Sequence, residues 1–200
     1  MKTETRSGPG RPREFDEQEA VQSALEVFRA RGYAATSLPD LIEGTQLSRG
    51  SLYKAFGDKH QLFLAALDFY TGRGIARLTR NLRHASARTA LREALRHYVR
   101  LSVGLEGLAG CPVTAAATEC LPFDAEVKAR VTDMFERMQA LLAAAIRRGQ
   151  STGALADDRN ADDLARFLLC TIEGMRVLGK TDCGEAAIEA IAEIALSAIR

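Results

Sequence analysis

The chain is 200 residues long, 46% hydrophobic and 26% charged, with a net charge of +1. It is long enough to bury a core and too balanced to coat nucleic acid by charge alone. No stretch of 18 or more uncharged apolar residues reads as a membrane span, and no apolar N-terminal run reads as a secretory signal, so the expected location is the cytoplasm.

Residues 1–14 form a polar arm in which Arg6, Arg11 and Arg13 flank Gly and Pro. Such a segment cannot fold alone. Arginines beside Gly-Pro can lie extended in a DNA minor groove, or the arm can be an ordinary solvated terminus; composition does not choose. A first helix is predicted from Asp16, with Glu19 completing a D-x-x-E cap and Phe15 set to staple against Ala20. Ala20, Val21, Ala24, Leu25 and Phe28 give its apolar stripe, and Gly32 ends it.

Thr36 to Lys59 reads as a short helix, a tight turn, a second short helix and the start of a third. Ser37 caps the first helix, with Asp40 at capping-box spacing. Gly44-Thr45-Gln46 breaks the pattern, and Ser48 caps the next helix, Arg49 to Phe56. Leu52 and Phe56 share its inward face, while Arg49 and Tyr53 share another. Two short helices joined this way match the helix-turn-helix plan, in which the second helix meets base edges in the major groove. Arg49 can pair with guanine, Gly50 lets backbone approach closely, and Ser51, Tyr53 and Lys54 can donate to phosphates or bases. Asp58 caps the following helix and Lys59, at its start, suits a phosphate.

The blocks T-S-L-P-D-L, S-R-G-S-L-Y-K-A-F and G-D-K-H-Q-L-F, over about Phe15 to Leu67, resemble the DNA-binding domain of the TetR family of bacterial transcriptional regulators. The resemblance places Arg49, Gly50, Ser51, Tyr53 and Lys59 at DNA-contacting positions and Thr36 or Ser37 at a phosphate-contacting one. Gln46 stands where the family usually has a turn glycine, and Ala55 where many members have a polar residue. The resemblance implies an all-α protein: a flexible arm (1–14), a three-helix DNA-binding domain (15–60) and a C-terminal helical bundle (61–200) for effector binding and dimerisation. The implied partners are double-stranded operator DNA, a second copy of the chain and an unidentified small-molecule effector, with no membrane.

Beyond it, a long helix is expected from Asp58 to about His84, weakened at Gly72 and Gly74. Charge is unevenly spread: residues 61–104 carry a balance of +6 and residues 105–200 one of −5. Arg73, Arg77 and Arg80 read as a solvated face, as do Arg92, Arg96 and Arg100 on the next helix, Thr89 to Leu105. Gly104, Gly107 and Gly110 mark a loop. Pro112 opens a short helix that Pro122 ends, and Asp124 caps a long helix to about Arg148, with Gly149 and Gly153 closing it. Helices over Ala161–Leu178 and Glu185–Ile199 are apolar on more than one side, so they need a second partner. By the resemblance they pair with their copies in a two-fold four-helix interface, and Leu164, Leu168, Ile188, Ile191 and Ile194 are its candidates.

A ligand cavity is expected between the C-terminal helices, lined by Tyr98, Leu101, Phe135, Met138, Phe167, Thr171 and Met175, although each also fits plain core. Glu119 and Glu173 lie in apolar stretches and would need partners if buried. The four cysteines, Cys111, Cys120, Cys170 and Cys183, form no C-x-x-C pair and have no neighbouring histidine, so no metal, cofactor or disulfide framework is expected. Cys111 and Cys120 are candidate thiol sensors of a redox- or electrophile-responsive regulator, but a helix between them would hold them roughly 13 Å apart, too far for a disulfide. An enzyme is the main alternative of another class. His60, His84 and His97 are scattered without a catalytic constellation, and there is no phosphate loop or H-E-x-x-H. A DNA-bending protein would differ from a regulator in having weak sequence preference.

Overall fold

Ten α-helices and one 3-10 turn build the chain over residues 16–199, which the computed structural model describes, and no strand occurs among them. Arg11 and Arg13 of the arm, and the staple residue Phe15, lie outside the described residues.

Local chemistry sets nearly every helix start. The Asp16 carboxylate accepts from the amides of Gln18 and Glu19 and opens α1 (Glu17–Arg31). Ser37 and Asp40 form the reciprocal capping box of α2 (Leu38–Thr45). Gln46 then takes a left-handed backbone, φ 56°, and its side-chain amide donates to the Glu43 carbonyl at 2.6 Å. That local bond offsets part of the cost that a side chain meets in this conformation. Ser48 caps α3 (Arg49–Phe56) and Asp58 caps α4 (Lys59–Asn81). After these come α5 (Ala87–Leu101), α6 (Gly104–Ala109), α7 (Pro112–Cys120), α8 (Ala125–Ser151), α9 (Ala161–Leu178) and α10 (Glu185–Ser197).

Three expectations need correction. The glycine-marked loop after α5 coils into α6, because Gly107 packs so tightly against the Ser102 backbone that a Cβ there would sit 2.6 Å from its carbonyl. α8 does not stop near Gly149. It runs on to Ser151, and Gly149 is the point where Leu155 folds back, 2.5 Å from where a Cβ would lie. α4 passes Gly72 and Gly74 as one continuous helix and ends at Asn81.

α1 packs on α4 and α2, and α4 continues from this N-terminal group into the remainder, where it packs on α8; α8 pairs with α9, and α10 covers α5 and α9. Leu41, Leu52, Leu62 and Leu67 are essentially sealed from solvent and hold α2, α3 and α4 together. Each contributes about 1.5–3 kcal/mol by burial.

The turn between α1 and α2 is clamped from two sides. Lys59 Nζ donates to the carbonyls of Tyr33 at 3.0 Å and Thr36 at 2.9 Å, and lies 4.5 Å from the Tyr33 ring centroid. From α7, the Glu119 carboxylate accepts from the Tyr33 amide at 2.9 Å and the Ala34 amide at 2.6 Å. His60 on α4 meets Asp124 at the start of α8 at 2.7 Å.

Candidate nucleic-acid interface and an open cavity

α3 is anchored on one side only. Leu52 is buried and Phe56 packs on the core, while Ser48, Arg49, Gly50, Tyr53 and Lys54 are exposed and Ser51 is half-buried. The Ser48 and Ser51 hydroxyls lie 2.9 Å apart and the Ser51 amide donates to Ser48, so the cap also fixes both hydroxyls at the helix tip. The Arg49 guanidinium stands 5.6 Å from the Tyr53 ring centroid, a stacked pair at the outer surface. A Cβ on Gly50 would meet nothing nearer than the Ser48 hydroxyl at 3.9 Å. The fold therefore does not require glycine there.

Two residues assigned to phosphates are placed otherwise. Thr36 is buried, and its hydroxyl donates to the Gly32 carbonyl at 2.6 Å, so it is not offered to a ligand. Lys59 is half-buried and uses its ammonium on the two turn carbonyls. Its place in the fold is that of an internal bracket, which the end-of-motif position in the sequence did not distinguish from a free cation. Ser37 is exposed, though its hydroxyl donates to Asp40 at 2.6 Å; that bond and the Ser37 amide, then Arg31, hold the Asp40 carboxyl below its ordinary range.

A cavity of about 440 Å³ lies where α1, α4, α5 and α6 meet. Of the seven expected lining residues, Leu101 alone borders it. Tyr98, Met138 and Met175 are solid core, Phe135 packs on the core, half-buried Thr171 gives its hydroxyl to the Phe167 carbonyl, and Phe167 is exposed. Helical periodicity finds residues that point inward, but this cavity is bordered by the polar flanks of its helices. Its walls include Arg29, Phe69, Tyr70, Arg77, His97 and Glu106, none of which periodicity singles out as ligand-binding. Burial, then Arg77, Arg100 and Arg176, lowers the His97 pKa to about 4.

His97 gives a pH prediction. Its folded pKa lies below the ordinary 6.5, so its contribution to stability is complete above pH 6.5 and is lost as pH falls toward 4. Screened by solvent through the open cavity, the effect is on the order of 1–3 kcal/mol. His97→Gln should flatten the acid loss between these limits, read as urea midpoints of the variant and parent at matched pH; parallel curves would contradict it.

Glu119 and Glu173 both find partners. Glu119 clamps the α1–α2 turn as described. Glu173 accepts the Thr114 hydroxyl, and burial raises its pKa against the opposing effects of Thr114 and Arg176. Cys111 and Cys120 are buried at opposite ends of α7, and all four cysteines are free thiols. The Tyr70 hydroxyl donates to Cys111 Sγ at 3.7 Å. Burial, then Glu119 and Asp124, raises the Cys120 thiol pKa, which makes its thiolate scarcer. No cluster of metal-ligating side chains gathers among the described residues.

The expected interface residues need rephasing. Leu164, Leu168 and Ile188 are buried within the chain and Ile191 is half-buried against the core, so only Ile194 of the five projects freely. The outward face instead carries Phe167, Val177 and Leu178 on α9, with Ile194 at 67% exposure on α10. A Cβ on Gly174, between the two ends of the α9 face, would meet nothing within 4 Å.

Residues 20–66 match the family model for bacterial regulatory proteins of the tetR family, and residues 87–194 match that for the tetracyclin repressor-like C-terminal domain. The chain is 28% identical over 193 residues to the HTH-type transcriptional repressor ComR of Escherichia coli (strain K12), covering 96% of this chain and 90% of that one. It is 30% identical over 161 residues to the HTH-type transcriptional regulator YezE of Bacillus subtilis (strain 168), covering 80% and 83%. A cysteine mutant of the TetR family regulator CifR, solved with 26-bp double-strand operator DNA, is 34% identical with a TM-score of 0.85, covering 96% of this chain and 100% of that one. No helix among the described residues is long and apolar enough to cross a membrane. The exposed tip of α3, the capped helix-turn-helix behind it and these matches along the chain agree: the chain belongs to the TetR family and is a DNA-binding transcriptional regulator.

Proposed function

We propose that this regulator is a cytoplasmic repressor that grips a near-palindromic operator as a homodimer and is released by a small molecule. The division of labour follows the chain: residues 1–14 serve as an arm, 15–60 read DNA, and 61–200 bind the effector and dimerise. The observation that carries the reading is the one-sided anchoring of α3. Its back is sealed by Leu52, and its front offers Ser48, Arg49, Gly50, Ser51, Tyr53 and Lys54. Two such helices, with half-site centres about 34 Å apart, reach successive major grooves. A dimer seated on a promoter blocks polymerase.

Release needs a physical link between cavity and heads, and α7 supplies one. At its N-terminal end, Gly110 gives its carbonyl to Arg29 and to Arg176. Near its other end, Glu119 holds the turn that leads into α2. A ligand that displaces one end of α7 moves the clamp at the other, and a ligand that favours the displaced arrangement lowers DNA affinity by linkage.

Selection of bound duplexes from a random pool tests the reading. A palindromic consensus should emerge, bound at least about a thousandfold more tightly than random DNA. Arg49→Ala should relax preference at one base position, at roughly 1–3 kcal/mol. Tyr53→Phe should weaken all sequences alike. A uniform loss for Arg49→Ala would remove it from base reading, and a pool without consensus would sink the repressor assignment.

A further inference from the structure

One guanidinium that borders the cavity, Arg29, and a second that shares an acceptor with it, Arg176, carry N–H groups that no described residue accepts. The Arg29 side chain is 8% exposed and borders the cavity. Its Nη1 meets Glu26 at 3.2 Å, and its Nη2 meets Glu106 at 2.9 Å and the Gly110 carbonyl at 3.4 Å, but its buried Nε has no partner. Arg176 is 2% exposed. Its Nη2 donates to the same Gly110 carbonyl at 2.7 Å, while its Nε and Nη1 are buried without partners. Because Arg29, which borders the cavity, donates to that same oxygen, the two guanidiniums lie side by side, with Arg176 behind the lining. Glu173, one helical turn before it, is not its ion-pair partner and takes the Thr114 hydroxyl instead.

A buried cation with idle donors is costly until an acceptor meets it, and the surroundings indicate which acceptor fits. The cations ask for an anion. Glu26 and Glu106 at the rim offset part of the positive charge, which favours a monoanion over a dianion. Leu25, Phe69 and Leu101 give the remainder of the wall an apolar character, and Arg73, stacked 5.2 Å from the Phe69 ring, and Arg77 sit exposed at the mouth. The volume of about 440 Å³ suits a small organic molecule.

We propose that this cavity binds an organic monocarboxylate with an aromatic or short aliphatic body, its carboxylate taken by Arg29, its charge drawn by the buried Arg176 beside it, and its body laid against Leu25, Phe69 and Leu101. Arg29 meets the carboxylate with a charge-assisted bond that the protein itself leaves open at Nε. The same ligand competes for a cation that holds the Gly110 carbonyl just before α7. This last step rests on the repressor reading; the binding itself does not.

Calorimetric titration of the full-length protein without DNA tests the binding. Phenylacetate and octanoate should bind at least about tenfold more tightly than phenylacetamide and octanamide, which keep the body and drop the charge, and more tightly than inorganic phosphate. Arg29→Gln should weaken carboxylate binding at least about tenfold, Arg176→Gln should weaken it through the lost charge, and both should change amide binding far less. Arg77→Gln, at the exposed mouth, cannot disturb the core and should weaken it by a smaller factor. Equal binding of acid and amide, tightest binding of phosphate, no binding of either carboxylate, or parental affinity in a folded Arg176→Gln protein would each overturn the assignment. A protein that binds carboxylate but shows no operator preference would overturn only the repressor reading; the reverse outcome would overturn only this one.

Discussion

Ile194→Asp should leave the single chain folded and lower operator affinity by a factor of about 10²–10⁴. The side chain is 67% exposed in the isolated chain, so a carboxylate there meets water and costs the fold little. The proposed dimer changes its surroundings. Phe167, Val177 and Leu178 on α9 are exposed too, and exposed Ala187 and Ala190 share the α10 face with Ile194 at helical spacing. An aspartate in that surface is desolvated without a counter-charge when two chains meet, a cost of several kcal/mol for each copy of a charge buried unpaired. A monomer then holds one half-site, and the second binding event loses the advantage of being intramolecular. Sedimentation at matched concentration should show a shift from dimer to monomer, and a gel shift on the selected operator should show the loss of affinity. A variant that stays dimeric and binds normally would place the interface elsewhere.

How far the sequence could be read depends on which physics was local. Caps are local. Asp16, Ser37, Ser48, Asp58 and Asp124 were each assigned from their position before an apolar stripe, and each accepts backbone amides where expected. Gln46, where the resemblance puts a turn glycine, does take the left-handed backbone that a glycine adopts most readily. Packing between distant segments was not legible. Nothing near Gly107 or Gly149 in the chain announces Ser102 or Leu155, so one glycine was read as loop and the other as a helix end. The expected interface failed for a related reason. A helix apolar on two sides gives no sign of which side faces the chain's own core, and Leu164, Leu168 and Ile188 proved to be on the inner one.

The site divides in the same way. The front of α3 is a property of one short helix, so Arg49, Gly50, Tyr53 and Lys54 could be named from spacing, and all are exposed. The cavity is assembled from four helices. Arg29 looks like an ordinary basic residue in the last turn of α1, and Arg176 like one more charge on an amphipathic helix. Only the convergence of both on the Gly110 carbonyl distinguishes them. Lys59 and Thr36 show the converse: both stand at positions that the resemblance gives to DNA, yet their polar groups brace the turn that leads into α2.

Two glycines of the helix-turn-helix should respond oppositely to the same substitution. A Cβ on Gly44 would sit 2.3 Å from Val27 Cγ2, so Gly44→Ala forces a stiff β-branched side chain to rotate or α1 and α2 to part. Overpacking of this kind costs about 1–3 kcal/mol, read as a lower urea midpoint, with DNA binding lost in parallel as the head loosens. Gly50→Ala meets no such obstacle, and replacing glycine within a helix should raise stability by roughly 0.5–1 kcal/mol. The added methyl nevertheless projects from the exposed tip of α3 beside Ser48, Arg49 and Ser51, where the proposed complex brings backbone against DNA. Holding that surface away by the width of a methyl lengthens the charge-assisted bonds around it, so operator affinity should fall at least about tenfold while the protein becomes harder to unfold. Stability and binding moving apart at Gly50, and together at Gly44, separates a glycine required by the ligand from one required by the fold. Unchanged operator affinity in Gly50→Ala would mean that this tip of the helix does not touch the duplex.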